Sequence, residues 1–330
     1  MKRKYVTISL RSTDSTNNEA KRRPSDDNLS VITAFEQTAG RGQRGNSWHS
    51  TPGLNLTFSI LVRWGRDSIP AMPATSQFTV SRIVTVALTD LLSSFGIDAR
   101  IKWPNDIYVG DRKICGILIE HTVSGPGLSS SVIGIGLNIN EKDFPIGIPN
   151  PTSVSLETST QHDTASCLEK FIECFDSSLS HAENAEGQAA LEKMYLDRMY
   201  RKDTPHQYID LRLIQPAHQI SRCDGSSPIG STTSPLCSDT PAAVSNHPRQ
   251  HSYSQSASSC DSCSSLDSSS DSHATPCSGP NPPGQHSCTK SGGRKFTGII
   301  RGVAPNACLV IEDEKGELHR FVFKEIAYII

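Results

Sequence analysis

The chain has 330 residues, enough for about two average domains, and its charge is nearly balanced: 32 Lys and Arg against 34 Asp and Glu give a net charge of −2. This balance excludes a broad basic face for duplex nucleic acid, although not a local one. Apolar residues make up 35% of the chain. Counting glycine as well brings them to about 42%, below the roughly 45–50% typical of a globular domain. Part of the chain is therefore predicted to lie outside any folded core.

That part is predicted to be residues 221–293. The segment holds 22 serines, eight prolines and six of the ten cysteines, but only five large apolar residues. It cannot bury enough surface to offset the entropy of ordering it, so we expect a disordered insert, with its purpose and exact limits open. Its Cys260–Cys263 pair, with histidines nearby, is a weak zinc candidate because no second ligand pair follows at zinc-finger spacing.

The sequence shows no export or membrane signal. Residues 1–4 are basic, but residues 5–10 alternate between apolar and polar and are followed by charge. The longest strongly apolar run, 114–119, is too short to span a bilayer. The four cysteines outside the insert are scattered along the chain, which is typical of reduced, core-filling cysteine. These features predict a cytoplasmic protein.

The first predicted elements are short and of mixed type. In chain order they are a strand at 5–10, a helix at 17–23, a strand at 29–35, a Gly/Arg-rich loop at 37–46 and a strand at 54–62. Asp14, Ser15 and Thr16 are the predicted cap of the first helix.

The middle of the chain combines long helices with further strands. In chain order we predict a helix at 78–95, strands at 99–103, 113–120 and 131–138, and helical segments from about 163 to 200. Gly96 is predicted to end the first of these helices, and Ser166 and Glu169 to form a capping box for the second.

Beyond the insert, the pattern predicts a short antiparallel meander. Its strands lie at 296–301, 307–312 and 318–323, with turns at 304–306 and 314–316. Strands mixed with hairpins and few helices predict an α+β fold for the larger part, with a small all-β appendage.

The loop Ala39-Gly-Arg-Gly-Gln-Arg-Gly45 has the most unusual composition. Its glycines let the backbone bend sharply and bring N–H groups close to an anion, while Arg41 and Arg44 provide fixed positive charge. No GK[ST] follows, so it is not a P-loop. Taken alone, the loop fits a ligand site, an RNA-binding turn or an ordinary surface turn.

Two further segments carry polar groups at strand ends. Lys113 begins a strand that is otherwise apolar, and Gly116 within that strand indicates close approach of a ligand or another backbone. Asp106, in the Pro-containing turn before it, could hold magnesium or simply cap the turn. Lys113 is equally compatible with a solvated hairpin lysine. Asn138 ends a Gly-rich strand, where its amide could bond a nucleotide or form a turn.

Five segments, taken in order, closely resemble the biotin–protein ligases, also called biotin–[acetyl-CoA-carboxylase] ligases. They are Asp14-Ser-Thr-Asn17, the run from Gln37 to Trp48, Lys102-Trp-Pro-Asn-Asp106, Lys113-Ile-Cys-Gly-Ile117 and Gly134-Ile-Gly-Leu-Asn138. The resemblance covers about 5–200 and resumes at 294–330.

The resemblance implies an α+β fold with a mixed-sheet, class II synthetase-like biotin-ligase catalytic domain and a small SH3-like β-barrel C-terminal domain. The implied boundaries are 1–202 for the catalytic domain, 203–293 for a linker and the insert, and 294–330 for the SH3-like domain. In the family, biotin and ATP form biotinyl-5′-AMP and pyrophosphate, and the biotinyl group passes to a lysine of a biotin carboxyl carrier domain of a biotin-dependent carboxylase.

The resemblance also implies roles for individual residues. Lys113 and Arg41 are the expected catalytic residues, and Asp106 is the expected ligand of a Mg²⁺ ion brought by ATP. The expected biotin-binding residues are Ser15, Thr16, Asn17, Gln37, Arg41, Gly42, Gln43, Lys113 and Gly116. The expected ATP- or adenylate-binding residues are Gly40, Arg41, Gln43, Arg44, Trp48, Lys113 and Asn138. Cys115 is expected to pack rather than react.

Some points depart from the family pattern or stay open. Gln43 stands where the family often has arginine, and whether it takes over that role is open. Because the first predicted strand begins at residue 5, we expect a form without the N-terminal DNA-binding domain and without nucleic-acid partners. The alternatives are a lipoate–protein ligase-like enzyme and a non-catalytic biotin- or nucleotide-binding relative. The acceptor carboxylase and the choice between monomer and homodimer are open.

Overall fold

The computed structural model describes residues 3–23, 27–212 and 293–330. The predicted disorder of the insert and its Cys260–Cys263 pair therefore lie outside the described residues, as does the side chain of Arg44. No helix in the described ranges is both long and apolar enough to cross a membrane.

A seven-stranded mixed sheet forms the centre of the larger part. Its strands are β1 (Val6–Thr13), β2 (Leu29–Gln37), β3 (Leu56–Arg63), β4 (Ala99–Lys102), β5 (Asp106–Val109), β6 (Arg112–Ser124) and β7 (Gly127–Leu137). They are ordered β1-β2-β3-β7-β6-β5-β4, and only β1 and β2 pair in parallel. The predicted α+β class with a mixed sheet is confirmed.

Helices cover both faces of this sheet. They are α1 (Thr16–Arg22), α2 (Phe78–Ser93), α3 (Val154–Thr158), α4 (Thr164–Ser180) and α5 (Ala185–Asp197). Successive strand residues point to opposite faces, and neighbours such as Val31 and Ile32 accordingly belong to different clusters. Val31 joins the large core with α2 and α4, whereas Ile32 packs with Ala20 of α1.

The ends of two helices show how local chemistry sets element boundaries. Gly96 follows α2 with φ of +76°, a left-handed conformation that glycine adopts without strain, as predicted. The predicted capping box at α4 is wrong. Asp163 is the N-cap instead, and its carboxylate accepts a hydrogen bond of 2.8 Å from the Ser166 backbone N–H. An acceptor directly before the first turn satisfies that donor and makes the later box unnecessary.

A second sheet is entirely antiparallel. Its strands are β8 (Pro205–Asp210), β9 (Arg294–Val303), β10 (Leu309–Asp313), β11 (Leu318–Phe321) and β12 (Ile326–Tyr328), ordered β11-β10-β9-β8-β12. This is the small β unit that the sequence predicts, although its hydrogen-bonded ladder is open rather than a closed barrel.

The predicted linker, 203–293, starts too early, because β8 (Pro205–Asp210) lies within it. This strand pairs with β9 on one side and β12 on the other, and Tyr208 in it is completely buried. It therefore belongs to the second sheet. Asp210 and Arg294 are register partners, so the long connection between them joins two paired antiparallel strands in the way a hairpin loop does.

The second sheet packs against the edge of the first. The indole N–H of Trp103 donates to the carbonyl of Ala307 at 3.1 Å, and its ring meets Phe323 edge to face. Tyr200, at the end of the helical region, packs between Tyr108 of β5 and Tyr328 of β12. One edge of the large sheet is therefore enclosed by the small one.

Candidate active site

A cavity of about 680 Å³ opens on the face of the large sheet that carries α1. Twelve of the residues singled out from the sequence line it: Ser15, Thr16, Asn17, Gln37, Arg41, Gly42, Gln43, Trp48, Asp106, Lys113, Gly116 and Asn138. Gly40 lies just outside the lining. The cavity therefore brings together residues from all five segments that carry the family resemblance.

The floor of the cavity is bare backbone. Gly116 of β6 and Gly136 of β7 are direct cross-strand partners, and Gly134 lies two residues along on the same face of β7. The Trp48 ring rests on Gly116 and Gly136 so closely that a Cβ at Gly116 would lie 2.8 Å from Cζ3. Gly116 and Gly136 give a flat surface on which a ring can lie, whereas the Asn17 amide packs on Gly134.

Sequence reasoning did not place Gly134 and Gly136 in the site, although a signal existed. Residues 134, 136 and 138 alternate along one strand, so all three must share a face. Since Asn138 was already expected in the site, the same alternation would have added both glycines.

Lys113 reaches this floor because of a β-bulge. The β5–β6 register shifts between Ile107, which pairs with Cys115, and Tyr108, which pairs with Lys113. The extra residue lets Ile114 and Cys115 both enter the core while Lys113 and Gly116 share the cavity face. Burial raises the pKa of the Cys115 thiol, so its thiolate is disfavoured.

The Lys113 ammonium is held in place within the cavity. It forms a 2.8 Å ion pair with Asp106 and lies 5.6 Å from the centre of the Trp48 ring. Its backbone N–H donates to Asn150 at 2.6 Å, and its carbonyl accepts from Thr152 at 2.9 Å. A lysine so restrained is a positioned cation rather than a solvated hairpin residue.

A buried polar cluster lies at the α1 end of the cavity. Gln37 Oε1 accepts from the backbone N–H and the hydroxyl of Thr16, at 2.9 and 3.2 Å. The Asn17 amide donates to the Leu118 carbonyl at 3.3 Å, and Ser59 Oγ lies 2.6 Å from Asn17 Oδ1. Ser59 is an addition to the predicted set. Its register partner is Gly134, so only the sheet pairing reveals its position.

Arg41 is bound away from the cavity floor. Its guanidinium donates to Asn18 at 2.8 Å and forms an ion pair with Glu120 at 3.2 Å. Burial disfavours the Glu120 carboxylate, but hydrogen bonds from Lys21 and Asn17 outweigh this and hold its pKa below its usual value. Glu120 therefore stays charged and holds Arg41. Sequence reasoning missed it because the partners lie far apart in the chain.

The Gly-rich loop is closed on itself. The Gly42 N–H donates to Asn46 at 2.7 Å, and the Trp48 N–H donates to Gly40 at 2.9 Å. Between them, Gln43–Gly45 forms one 3₁₀ turn, which places the neutral Gln43 side chain in the cavity lining. Gly40 packs against the Trp48 backbone too closely to admit a side chain. Its role is to close the loop.

Trp48 carries a buried donor without a partner. Its indole N–H forms no hydrogen bond with any described residue, although the nitrogen is shielded from solvent. An unsatisfied buried donor costs about 1–3 kcal/mol. A ligand that supplies an acceptor, or that draws the ring off the glycine floor, would relieve this cost.

The side chains of Asn138 and Asp106, which the sequence predicts to bind ligands, already have partners within the protein. The Asn138 amide donates to the Thr152 carbonyl at 2.9 Å, which ties β7 to the following loop. Asp106 is paired with Lys113, and it is the only carboxylate among the described residues lining the cavity. The described residues that line the cavity therefore do not by themselves build a metal site here.

The second sheet forms one wall of the cavity. Cys115 does not enter the cavity, because it is completely buried in the core on the other side of the large sheet. Phe323, Ile326, Ala327 and Tyr328 line the cavity on the side of the second sheet, and the Tyr328 ring lies 5.0 Å from the Lys102 ammonium. Burial, reinforced by Lys113, lowers the pKa of Lys102 to about 8, although Asp106 opposes the shift. Lys102 opens one of the five motifs, but the sequence assigns neither Lys102 nor Tyr328 a role, because their contact depends on how the two sheets pack.

Comparison with known proteins gives the site a family context. The model of the biotin/lipoate A/B protein ligase family matches residues 6–138. The biotin–[acetyl-CoA-carboxylase] ligase of Paracoccus denitrificans is 35% identical over 174 residues, which is 50% of this chain and 70% of that protein. The bifunctional ligase/repressor BirA of Bacillus subtilis is 34% identical over 149 residues, 44% of each chain.

The fold comparison extends over the whole chain. A biotin protein ligase from Aquifex aeolicus, solved in complex with biotin and ATP, superposes with a TM-score of 0.60 at 17% identity and covers 98% of this chain and 97% of that one. At this identity the likeness concerns the fold. The chain spans less than half the length of the BirA relatives it matches.

Proposed function

The chain belongs to the biotin/lipoate A/B protein ligase family, and we propose that it is an ATP-dependent biotin–protein ligase. The resemblance drawn from its five motifs is thereby confirmed at the level of the family. The observation that carries the proposed activity is the Lys113 ammonium, which a bulge fixes beside a floor of bare glycine backbone in a cavity that also contains the Thr16–Gln37 cluster.

In the first proposed step, a biotin carboxylate oxygen attacks the α-phosphorus of ATP. The bond between that phosphorus and the bridging oxygen to the β-phosphate breaks, and pyrophosphate leaves. Both reactants are anions, so the step requires a fixed cation between them. Lys113 is placed for this role because its half-buried ammonium is oriented by Asp106 and lies beside Gly116.

The rest of the cavity fits the shape and polarity of biotin. A bicyclic ring needs a flat surface, which the backbone of Gly116 and Gly136 provides where the Trp48 ring now rests. A ureido group needs both donors and acceptors, which Ser15, Thr16, Asn17 and Gln37 supply at the α1 end. In this proposal the Trp48 ring leaves the floor when biotin enters and covers the ligand from the loop side.

The loop residues act on the nucleotide. Gly42, Gln43 and Arg44 lie in the tight turn of the Gly-rich loop. The Gly42 N–H donates to Asn46, so in this proposal the backbone N–H groups of Gln43 and Arg44 meet the phosphate oxygens. When both substrates are bound, the Arg41 guanidinium leaves its ion pair with Glu120 and pairs with the phosphate of the adenylate. Asn138, tied to Thr152, holds the end of β7 beneath the nucleotide. Mg²⁺ would arrive with the ATP phosphates and neutralise part of their charge.

In the second proposed step, the amine of an acceptor lysine attacks the carbonyl carbon of the adenylate. The carbon–nitrogen bond forms, the bond to the phosphate oxygen breaks, and AMP and a proton leave. No nucleophilic side chain of the enzyme is required, because the mixed anhydride is already activated. We propose a biotin carboxyl carrier domain as the acceptor, in accord with the name of the Paracoccus relative.

Exchange of labelled pyrophosphate into ATP tests the first step. The proposal predicts exchange that depends on biotin and is not supported by lipoate. Lipoate-dependent exchange without a biotin response would instead identify a lipoate ligase, the other activity named in the family. A chain that supports neither exchange would contradict the proposed enzyme outright.

A further inference from the structure

One row of residues crosses the cavity face of the large sheet. Lys102 of β4 pairs with Asp106 of β5, Asp106 pairs with Gly116 of β6, and Gly116 pairs with Gly136 of β7. Register partners in adjacent strands point to the same side of a sheet. Lys102 therefore faces the same cavity as the glycine floor, at the end nearest the second sheet.

The Lys102 ammonium is enclosed by aromatic rings. It donates to the Tyr108 hydroxyl at 2.9 Å and lies 4.4 and 5.0 Å from the centres of the Tyr108 and Tyr328 rings. Both tyrosines also line the cavity. The rings hold the long side chain in one orientation, and that orientation places Lys102 in the cavity wall.

This cation has no carboxylate partner at ion-pair distance in the described part of the chain, unlike the other two cations of the wall. Arg41 is bound to Glu120, and Lys113 is bound to Asp106. A charge that is partly withdrawn from water is costly without a counterion. Burial accordingly lowers the pKa of Lys102 to about 8, and an arriving anion would offset that cost.

We propose that Lys102 binds the β- and γ-phosphates of ATP and stabilises the departing pyrophosphate. This assignment rests on the proposed ligase function and gives that reaction a second cation. Lys113 serves the carboxylate and α-phosphate where the bond forms, and Lys102 serves the group that leaves. As the bridging bond breaks, negative charge accumulates on pyrophosphate, so a cation placed there favours the transition state over the bound substrate.

The test compares Lys102→Met with Lys102→Arg. Methionine keeps an unbranched apolar side chain between the tyrosines but removes the charge, whereas arginine keeps the charge. Lys193→Met is the matched control, because Lys193 is exposed on α5 and pairs only with Asp197 among the described residues. Thermal melting of all three variants checks that they are folded.

The affinity for pyrophosphate and the KM for ATP are the two quantities that test the assignment. Calorimetric binding of inorganic pyrophosphate to the full chain should weaken about 10- to 100-fold in Lys102→Met, the range expected for one hydrogen bond to a charged group. The KM for ATP in biotin-dependent exchange should rise by a similar factor, while biotin binding without ATP changes less than twofold. Lys102→Arg should recover most of the pyrophosphate affinity.

Unchanged pyrophosphate binding and an unchanged KM for ATP in a folded Lys102→Met protein would overturn the assignment. So would an equal loss of biotin and pyrophosphate binding, since that would make Lys102 a packing residue. Failure of the ligase function itself is distinguishable, because wild-type protein would then show no biotin-dependent exchange whatever its affinity for pyrophosphate.

Discussion

The Lys113 ammonium and the Asp106 carboxylate lie 2.8 Å apart on neighbouring strands, on the face of the sheet where two cross-strand glycines leave the backbone bare. The pair exists because a bulge turns Lys113 toward Gly116 while the two residues between them enter the core. The same bulge that lets Ile114 and Cys115 both enter the core therefore also positions the Lys113 ammonium in the cavity.

Replacing Lys113 should abolish most adenylate formation without unfolding the protein. Lys113→Ala removes a half-buried charge rather than core volume, so the melting temperature should change little. Loss of one preorganised electrostatic group costs roughly 10²–10³ in rate. Biotin-dependent pyrophosphate exchange measures the loss, with Lys193→Ala as the control. Exchange at the wild-type rate in Lys113→Ala would refute the role.

A methyl group on the glycine floor should block biotin. Gly136→Ala places its Cβ where the Trp48 ring now rests, so the ligand ring could no longer lie on the backbone. We expect biotin affinity to fall by about tenfold or more, the effect of roughly 1.4 kcal/mol or more. Gly127→Ala is the control. Gly127 lies on the same strand but outside the cavity lining, and an added Cβ there would lie 3.4 Å from the Met72 carbonyl oxygen, its nearest neighbour.

Calorimetric titration with biotin measures the affinity of both variants, and we expect the lower affinity in Gly136→Ala. Equal affinities in Gly136→Ala and Gly127→Ala would show that biotin does not lie on this floor.

Pyrophosphate affinity should fall as pH rises through about 8. Lys102 is charged below its pKa of about 8 and neutral above it, so the anion loses its partner on the alkaline side. The surrounding charged and titratable groups are Asp106, Asp111, Lys113, Arg201, Tyr108, Tyr200 and Tyr328. The pKa values of the three tyrosines are raised, so their hydroxyls stay neutral across this range.

Calorimetric titrations with pyrophosphate between pH 7 and 9 measure this effect. The bound anion will shift the midpoint upward, because it favours the charged amine. In Lys102→Arg the decline should disappear, since arginine stays protonated. A decline that persists unchanged in that variant would assign the titration to another group.

Removing the long insert should leave the ligase intact. Asp210 and Arg294 are register partners, and the Leu211 N–H donates to the Glu325 carbonyl at 2.7 Å, so the chain ends on either side are already adjacent. Replacing residues 213–292 with a short Gly-containing turn should shift the melting temperature by only a few degrees. Exchange and melting measurements check this, and loss of either folding or activity would show that the insert is required.

Much of the fold could be predicted from sequence because periodic apolar residues mark long elements well. The predicted helix at 78–95 and the strands at 113–120 and 131–138 lie within α2, β6 and β7 or extend them by a residue or two. Short elements such as β5 and β12 were missed, because three or four residues carry no measurable period.

The site was predicted in part, for a similar reason. Motif residues such as Thr16, Gln37 and Lys113 stand out within one segment of sequence. Ser59 and Glu120 do not, since their places depend on strand register and on partners far away in the chain. Lys102 does stand in a motif, but its surroundings could not be predicted, because its ring partner Tyr328 comes from the other sheet.

Transfer of labelled biotin to the lysine of a biotin carboxyl carrier domain tests the central claim most directly. Wild-type protein with ATP should label the domain and release AMP, and a carrier whose acceptor lysine is replaced should remain unlabelled. Lys113→Ala should fail to label the intact domain. Absence of transfer by folded wild-type protein, or equal transfer by Lys113→Ala, would contradict the account.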